Sequence, residues 1–317
     1  YQRIQSPAVR KLSNAMMLYQ NTRTLRFTVF SSIPDMANIF LRGGDFGRTW
    51  KVIRENAGAS WRGELNGMLR SYGHAADMAD SMLMRDIVNN RDNIKYVKWN
   101  ETFFKYTGLT KWTTFTRGLA AKVAEDYILQ HGNLAAAGNE DSIRRLAELG
   151  VTWEHVAEWQ PGQTKFTTPL AGEGTIRVTA AMQQMINDMV IHPTPPEKTL
   201  WGSDERMKLM WHLKSFMYGF STRVLGRAWH EIQLNGWTSP QAIHSILALS
   251  LLIPLAAFGL FLRDIAQYWL WGEESYTPYD DPAKYLWVLA GRSGITGMSQ
   301  MAIDTVQASQ KGRAPLS

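Results

Sequence analysis

The sequence predicts an all-α protein: an irregular, elongated assembly of helices with one long apolar helix and few or no strands. Three observations carry this. Strict alternation of apolar and polar residues, the mark of a half-buried strand, is nearly absent. Caps, apolar stripes at three- and four-residue spacing and glycine stops recur along the chain. From Ile232 to Leu262 there is no Asp, Glu, Lys or Arg.

The elements follow in order. Residues 7–30 are apolar-rich with basic flanks, and Ser32, Pro34 and Asp35 form a helix start that Gly43-Gly44 closes. Helices are expected over 46–57, 60–90 and 93–107, the last ending at Gly108, and over 110–131 through Trp112, Phe115, Leu119, Val123 and Tyr127. Residues 139–159 read as a tight helical hairpin. Asp141-Ser142 opens its first helix, Leu149-Gly150 stops it and Thr152 caps the second. A DNA-reading helix-turn-helix would need cations there. Instead no Lys or Arg occurs from Thr152 to Gln163, and Glu154 and Glu158 repel phosphate. A loop over 160–175 precedes a helix to about His192, which Pro193, Pro195 and Pro196 end. These breaks predict a basic N-terminal helical block (1–159), a loop-rich linker with one helix (160–202) and a C-terminal helical block (203–317).

The C-terminal block is the most informative. Ser203 caps a helix expected to reach about Leu234, with Met210, Leu213, Met217, Phe220 and Val224 on one stripe and Trp211, Tyr218 and Leu225 on another. A helix so apolar around its circumference is buried between neighbours. Five basic residues and no acid between Arg206 and Arg227 leave it a cationic strip. The apolar helix spans about 242–271, close to the ~20 residues that cross a bilayer core. Trp237 precedes it, Tyr268, Trp269 and Trp271 follow in aromatic-belt positions, and Pro254 bends it. Leu251, Leu252, Phe258, Phe261, Trp269 and Trp271 are its expected contacts with a membrane or with other copies. Arg263-Asp264 interrupts it, and the core helix of a soluble bundle has the same composition. Asp280-Asp281 could bind a cation, though such a pair more often caps a helix, here one near Ala283, and Met301, Ile303 and Val306 mark an amphipathic helix in the tail.

Composition narrows the function. The 317 residues are 45% hydrophobic, enough for a buried core, and the absence of cysteine excludes disulfides, thiolate metal sites and cysteine nucleophiles. A mean hydropathy of −0.26 excludes a polytopic membrane protein but not one spanning or interfacial helix. Thirteen Trp suit interfaces between apolar and wet environments. The net charge of +6 is concentrated early. Arg10, Lys11, Arg23 and Arg26, with Lys214, Arg223 and Arg227 from the cationic strip, are the candidates for facing phosphate, in DNA or lipid headgroups. No phosphate-binding loop, dinucleotide fingerprint, metal-binding His helix or paired carboxylate is present, so no enzyme, cofactor or metal is expected. The start, Tyr1-Gln2-Arg3-Ile4, reads as part of a longer chain.

Five stretches together resemble a known family: RFTVFSSIPDMANIFLRGG (26–44), TKWTTFTRGLAA (110–121), WGSDERMKLMWHLKSFMYGFSTRVLGRA (201–228), the apolar helix, and GRSGITGM (291–298). In order and spacing they resemble the C-terminal region of the large internal virion proteins, or ejection proteins, of short-tailed bacteriophages, a region also found in large polyvalent phage proteins. The resemblance implies a structural protein of the virion interior. Its implied partners are copies of itself, other internal virion proteins, the portal and, non-specifically, double-stranded DNA. It also implies release into the host envelope to help form a conduit for DNA across periplasm and inner membrane. Any transglycosylase or polymerase activity would lie elsewhere in a longer polypeptide. The residues alone also fit a cellular single-span or monotopic membrane-associated helical protein.

Overall fold

The structure is a computed structural model that describes residues 28–72, 102, 105–161, 172–190, 220–272 and 277–293. Among these the fold is helical, without strands. In chain order the elements are α1 (Thr28–Ser31), a 3-10 turn (Ile33–Asp35), α2 (Met36–Gly43), α3 (Phe46–Arg62), α4 (Asn66–Ser71), α5 (Leu109–Ala136), α6 (Glu140–Glu148), α7 (Trp153–Glu158), α8 (Glu173–Met189), a π-helical segment (Phe220–Leu225), α9 (Gly226–Asn235), α10 (Pro240–Ser250), α11 (Leu252–Trp271) and α12 (Pro282–Ser293).

Most boundaries follow local chemistry. The Asp45 side chain accepts the Arg48 N–H at 2.6 Å and starts α3. Asn139 accepts from Ser142 at 2.8 Å and starts α6, and Ser239 accepts from Ala242 at 3.1 Å and starts α10 with Pro240 in its first turn. α3 runs on through 57–60, where a break was expected. Its stop is Gly63, at φ 80°, whose N–H reaches the carbonyls of Ala59 and Ser60. Ser32 begins the 3-10 turn without a side-chain cap. Most of the helices expected over 60–90 and 93–107 lie outside the described residues, as do the segment 7–27 and the tail helix.

The chain divides into two compact units, residues 42–190 and residues 1–41 with 191–317. This differs from the predicted boundaries at 159/160 and 202/203. α8, assigned by composition to a linker, is core: Val178, Met182, Ile186 and Met189 are fully buried. Residues 28–41, assigned to the N-terminal block, belong instead to the unit of α10 and α11, where residues 28–35 pack on α11.

The unit 42–190 is built on α5, buried along most of its length by small and apolar residues on every side. α3 runs antiparallel to it. The Ser60 hydroxyl donates to the Phe115 carbonyl at 2.7 Å near one end, and Arg48 holds Asp126 in a two-bond ion pair near the other. α6 and α7 form the predicted hairpin against α5, with Thr152 N–H donating to His155 Nδ1 at 3.1 Å. α8 packs on α5 and α7. The DNA reading of the hairpin finds no support, since α7 is a single six-residue helix packed on α5 and α8.

Glycine sets the closest approach. A Cβ at Gly118 would stand 2.3 Å from Ser60 Oγ. Gly118→Ala should destabilise this unit by about 1–3 kcal/mol in chemical denaturation, because overpacking and the displaced Ser60 hydrogen bond outweigh the ~1 kcal/mol gain in helix propensity. His131 is buried with Nδ1 2.9 Å from Ser142 Oγ, and burial first, then the Arg145 charge, push its pKa down to about 4. The unfolded imidazole protonates near 6.5, while the folded one stays neutral until about 4. Stability is therefore complete above pH 6.5 and declines as pH falls toward 4. Thermal melts across that window should show falling midpoints, and His131→Gln should flatten the dependence.

Candidate membrane-contact surface

The second unit centres on α10 and α11. Residues Pro240–Leu270 form a 31-residue run of helix, broken only by a turn at Leu251, that is long and apolar enough to cross a membrane. α11 alone extends about 30 Å at 1.5 Å per residue, the thickness of a hydrocarbon core. A core helix of a soluble bundle has the same composition but is mostly buried. Here 33% of the most apolar stretch is buried.

One face of α11 is covered by its own chain. Gly259 lies against α1, where a Cβ would come within 2.3 Å of the Phe30 carbonyl oxygen. Ala256 and Leu260 pack with Leu289 of α12, flanked by Ala257, Tyr285 and Val288. His244 of α10 donates its Nε2–H to the Phe40 carbonyl at 2.8 Å. Asp35, in the 3-10 turn packed on α11, is pushed up to about 7 by burial. The opposite face is open. Phe258, Phe261, Ile265, Tyr268 and Trp269 are each between 41% and 83% exposed, three or four residues apart along one side, with Trp269 four beyond Ile265. Leu286 and Trp287 of α12 are exposed as well.

The charges that interrupt the apolar run are satisfied locally. Arg263 donates to Asp264 Oδ1 at 2.6 and 3.0 Å and to Thr277 Oγ1 at 3.2 Å. The Tyr279 hydroxyl donates to Asp264 Oδ2 at 2.7 Å. Burial, then this hydrogen bond, pushes the Tyr279 pKa up to about 12, so the phenol stays a donor. Gly272, at φ 65°, stops α11, and Asp281 accepts the Lys284 N–H at 3.1 Å to start α12.

Of the residues expected at a membrane or oligomer contact, Phe258, Phe261 and Trp269 lie on the open face. Leu252 is 1% exposed and belongs to the core, because four-residue spacing puts it on the covered side of α11 with Ala256 and Leu260; Leu251 is half-buried. The Trp271 side chain lies outside the described residues. So do the phosphate-facing candidates Arg10, Lys11, Arg23, Arg26 and Lys214. Of the expected cationic strip only its end, Arg223 and Arg227, lies within the described residues. Arg223 is 8% exposed within the π-helical segment, and Arg227 is ion-paired with Glu231 one turn on. A count ending at Arg227 misses that acid. Sequence reasoning also missed Ile265 and the Thr277–Tyr279 return that neutralises Arg263-Asp264. The spacing of 258, 261, 265 and 268 was a legible signal for the first. Nothing local announces the second.

Among the described residues no group of His, Asp and Glu is placed to hold a metal ion. Asp264→Ala, which strands a largely buried guanidinium, should cost about 3–5 kcal/mol of stability. The double replacement Arg263→Leu/Asp264→Leu should cost less in the same denaturation assay and increase binding to phosphatidylcholine vesicles. No protein-family model matches the chain, and neither a curated protein nor a solved structure matches it.

Proposed function

We propose that this chain is a structural, non-enzymatic component of a bacteriophage internal core and ejection complex. It is stored in the virion interior, released into the host envelope, and helps form the conduit that carries DNA across the periplasm and inner membrane. The observation that carries this reading is the open face of α11: a continuous apolar stripe on a helix of membrane-crossing length, with its interrupting charges paired inside the protein. A patch of that kind on a soluble protein marks a partner surface or a lipid surface. The family resemblance of the five sequence stretches supplies the phage context. Its partners in this role are copies of itself, other internal virion proteins and the portal, non-specific double-stranded DNA, and the host inner membrane after ejection.

Two measurements test the reading. In flotation, the full chain should rise with phosphatidylcholine vesicles. Phe258→Ser/Phe261→Ser/Trp269→Ser should remain folded and bind at least about tenfold more weakly, since each ring loses ~1.5–3 kcal/mol of possible burial. A chain that never floats overturns the membrane role. Immunodetection should find the chain in filled virions and not in emptied ones or in uninfected cells. Its presence in uninfected cells would favour the cellular monotopic or single-span protein.

A further inference from the structure

A second surface, in the unit 42–190, has a different chemistry. α3 is buried along Thr49, Ile53 and Ser60, which fall within about 40° of arc at 100° per residue. Beside that buried strip, Phe46, Trp50 and Trp61 fall within about 60°, and all three are exposed: 37%, 53% and 49%. Arg54 and Lys51 occupy about the next 80° outward, also exposed. At the far end Lys111 of α5 places its ammonium 4.4 Å from the centre of the Trp61 ring, which the Phe115 ring braces edge-on at 5.5 Å.

The charge on this ridge is unbalanced. Arg48 is committed to Asp126 and Arg62 to Glu64. Lys51, Arg54 and Lys111 have no ion pair among the described residues, and Glu55 lies at the outer edge, beyond Lys51. Three cations beside three exposed rings on a convex helix edge complement one environment best. Trp and Phe settle at the headgroup level of a bilayer, and Lys and Arg reach the phosphates there. A DNA duplex would meet the cations but bring its phosphates, rather than unstacked bases, onto the rings. Proteins that stack bases use grooves rather than ridges. We propose that the α3 ridge, with Lys111, is a binding surface for an anionic bilayer, separate from the apolar face of α11 and driven by charge.

The test compares the full chain on phosphatidylcholine vesicles and on vesicles that also contain phosphatidylglycerol, by co-sedimentation at low and high salt. The chain should prefer the anionic vesicles, and salt should abolish the preference. Each cation near such a surface contributes about fivefold in affinity, so Lys51→Gln/Arg54→Gln/Lys111→Gln should bind anionic vesicles about a hundredfold more weakly and phosphatidylcholine vesicles unchanged. Lys51→Arg/Arg54→Lys/Lys111→Arg should keep the preference, and circular dichroism should show both variants folded. Equal binding to the two vesicle types, or a preference that survives the neutral triple variant, overturns the proposal. So does binding of a DNA duplex that the triple variant weakens while no anionic-lipid preference exists, which assigns the ridge to nucleic acid. The anionic preference should persist in Phe258→Ser/Phe261→Ser/Trp269→Ser, so this surface and the α11 surface fail separately.

Discussion

A helix with no charged side chain along most of its length must have each of its faces answered by something apolar or by its own folded chain. In α11 the two faces are answered differently. Gly259 lets the Phe30 carbonyl approach closer than any side chain would allow, and the rest of that face fills with Ala256, Leu260 and Leu289. Hydrophobic burial is non-directional, so α1, the 3-10 turn and α12 serve equally as cover, from opposite ends of the sequence. The same cover accounts for Arg263 and Asp264. They point where Thr277 and Tyr279 return, and a pair that would be costly in hydrocarbon is closed into a network of hydrogen bonds.

The unit 42–190 solves a related problem by size rather than by polarity. α5 is surrounded by α3, α6, α7 and α8, and such crowding is possible only where the side chains are short. Gly118 meets Ser60, and Gly132 meets Val156, at distances that a Cβ would violate. Three polar groups within this core are tied individually: Ser60 to a carbonyl, Thr179 to the Thr175 carbonyl one turn back, His131 to Ser142. The helix is thus specified by fit as much as by hydrophobicity.

Local structure was legible because its causes are local. The helix start near Asp141, the hairpin turn at Gly150 and the cap at Thr152 all rest on residues within a few positions of one another. What sequence could not supply were relations across long separations. Composition could not tell that α8 is core, since its burial depends on α5 and α7 lying beside it. It could not tell that Arg223 points inward while Trp269 points out, because a stripe identifies a face and not what covers it. The open side of α11 was half legible: of the expected contact residues Phe258, Phe261 and Trp269 are exposed, but Leu252 shares the covered side with Ala256 and Leu260.

The division of the chain has a kinetic meaning. The contact between His244 and Phe40 closes a separation of 204 residues, and a loop of that length is slow to close and costly in chain entropy. The unit 42–190 lies wholly inside that loop, and Arg42 meets Asp188 at 3.3 Å near its two ends. Once this inserted unit has folded, its ends are side by side and the long loop has become a short one. A chain threaded through a narrow opening and left to refold on the far side would therefore regain its parts in a fixed sequence, the contiguous unit first. The side of α11 that α1 and the 3-10 turn cover would be without that cover until the last step.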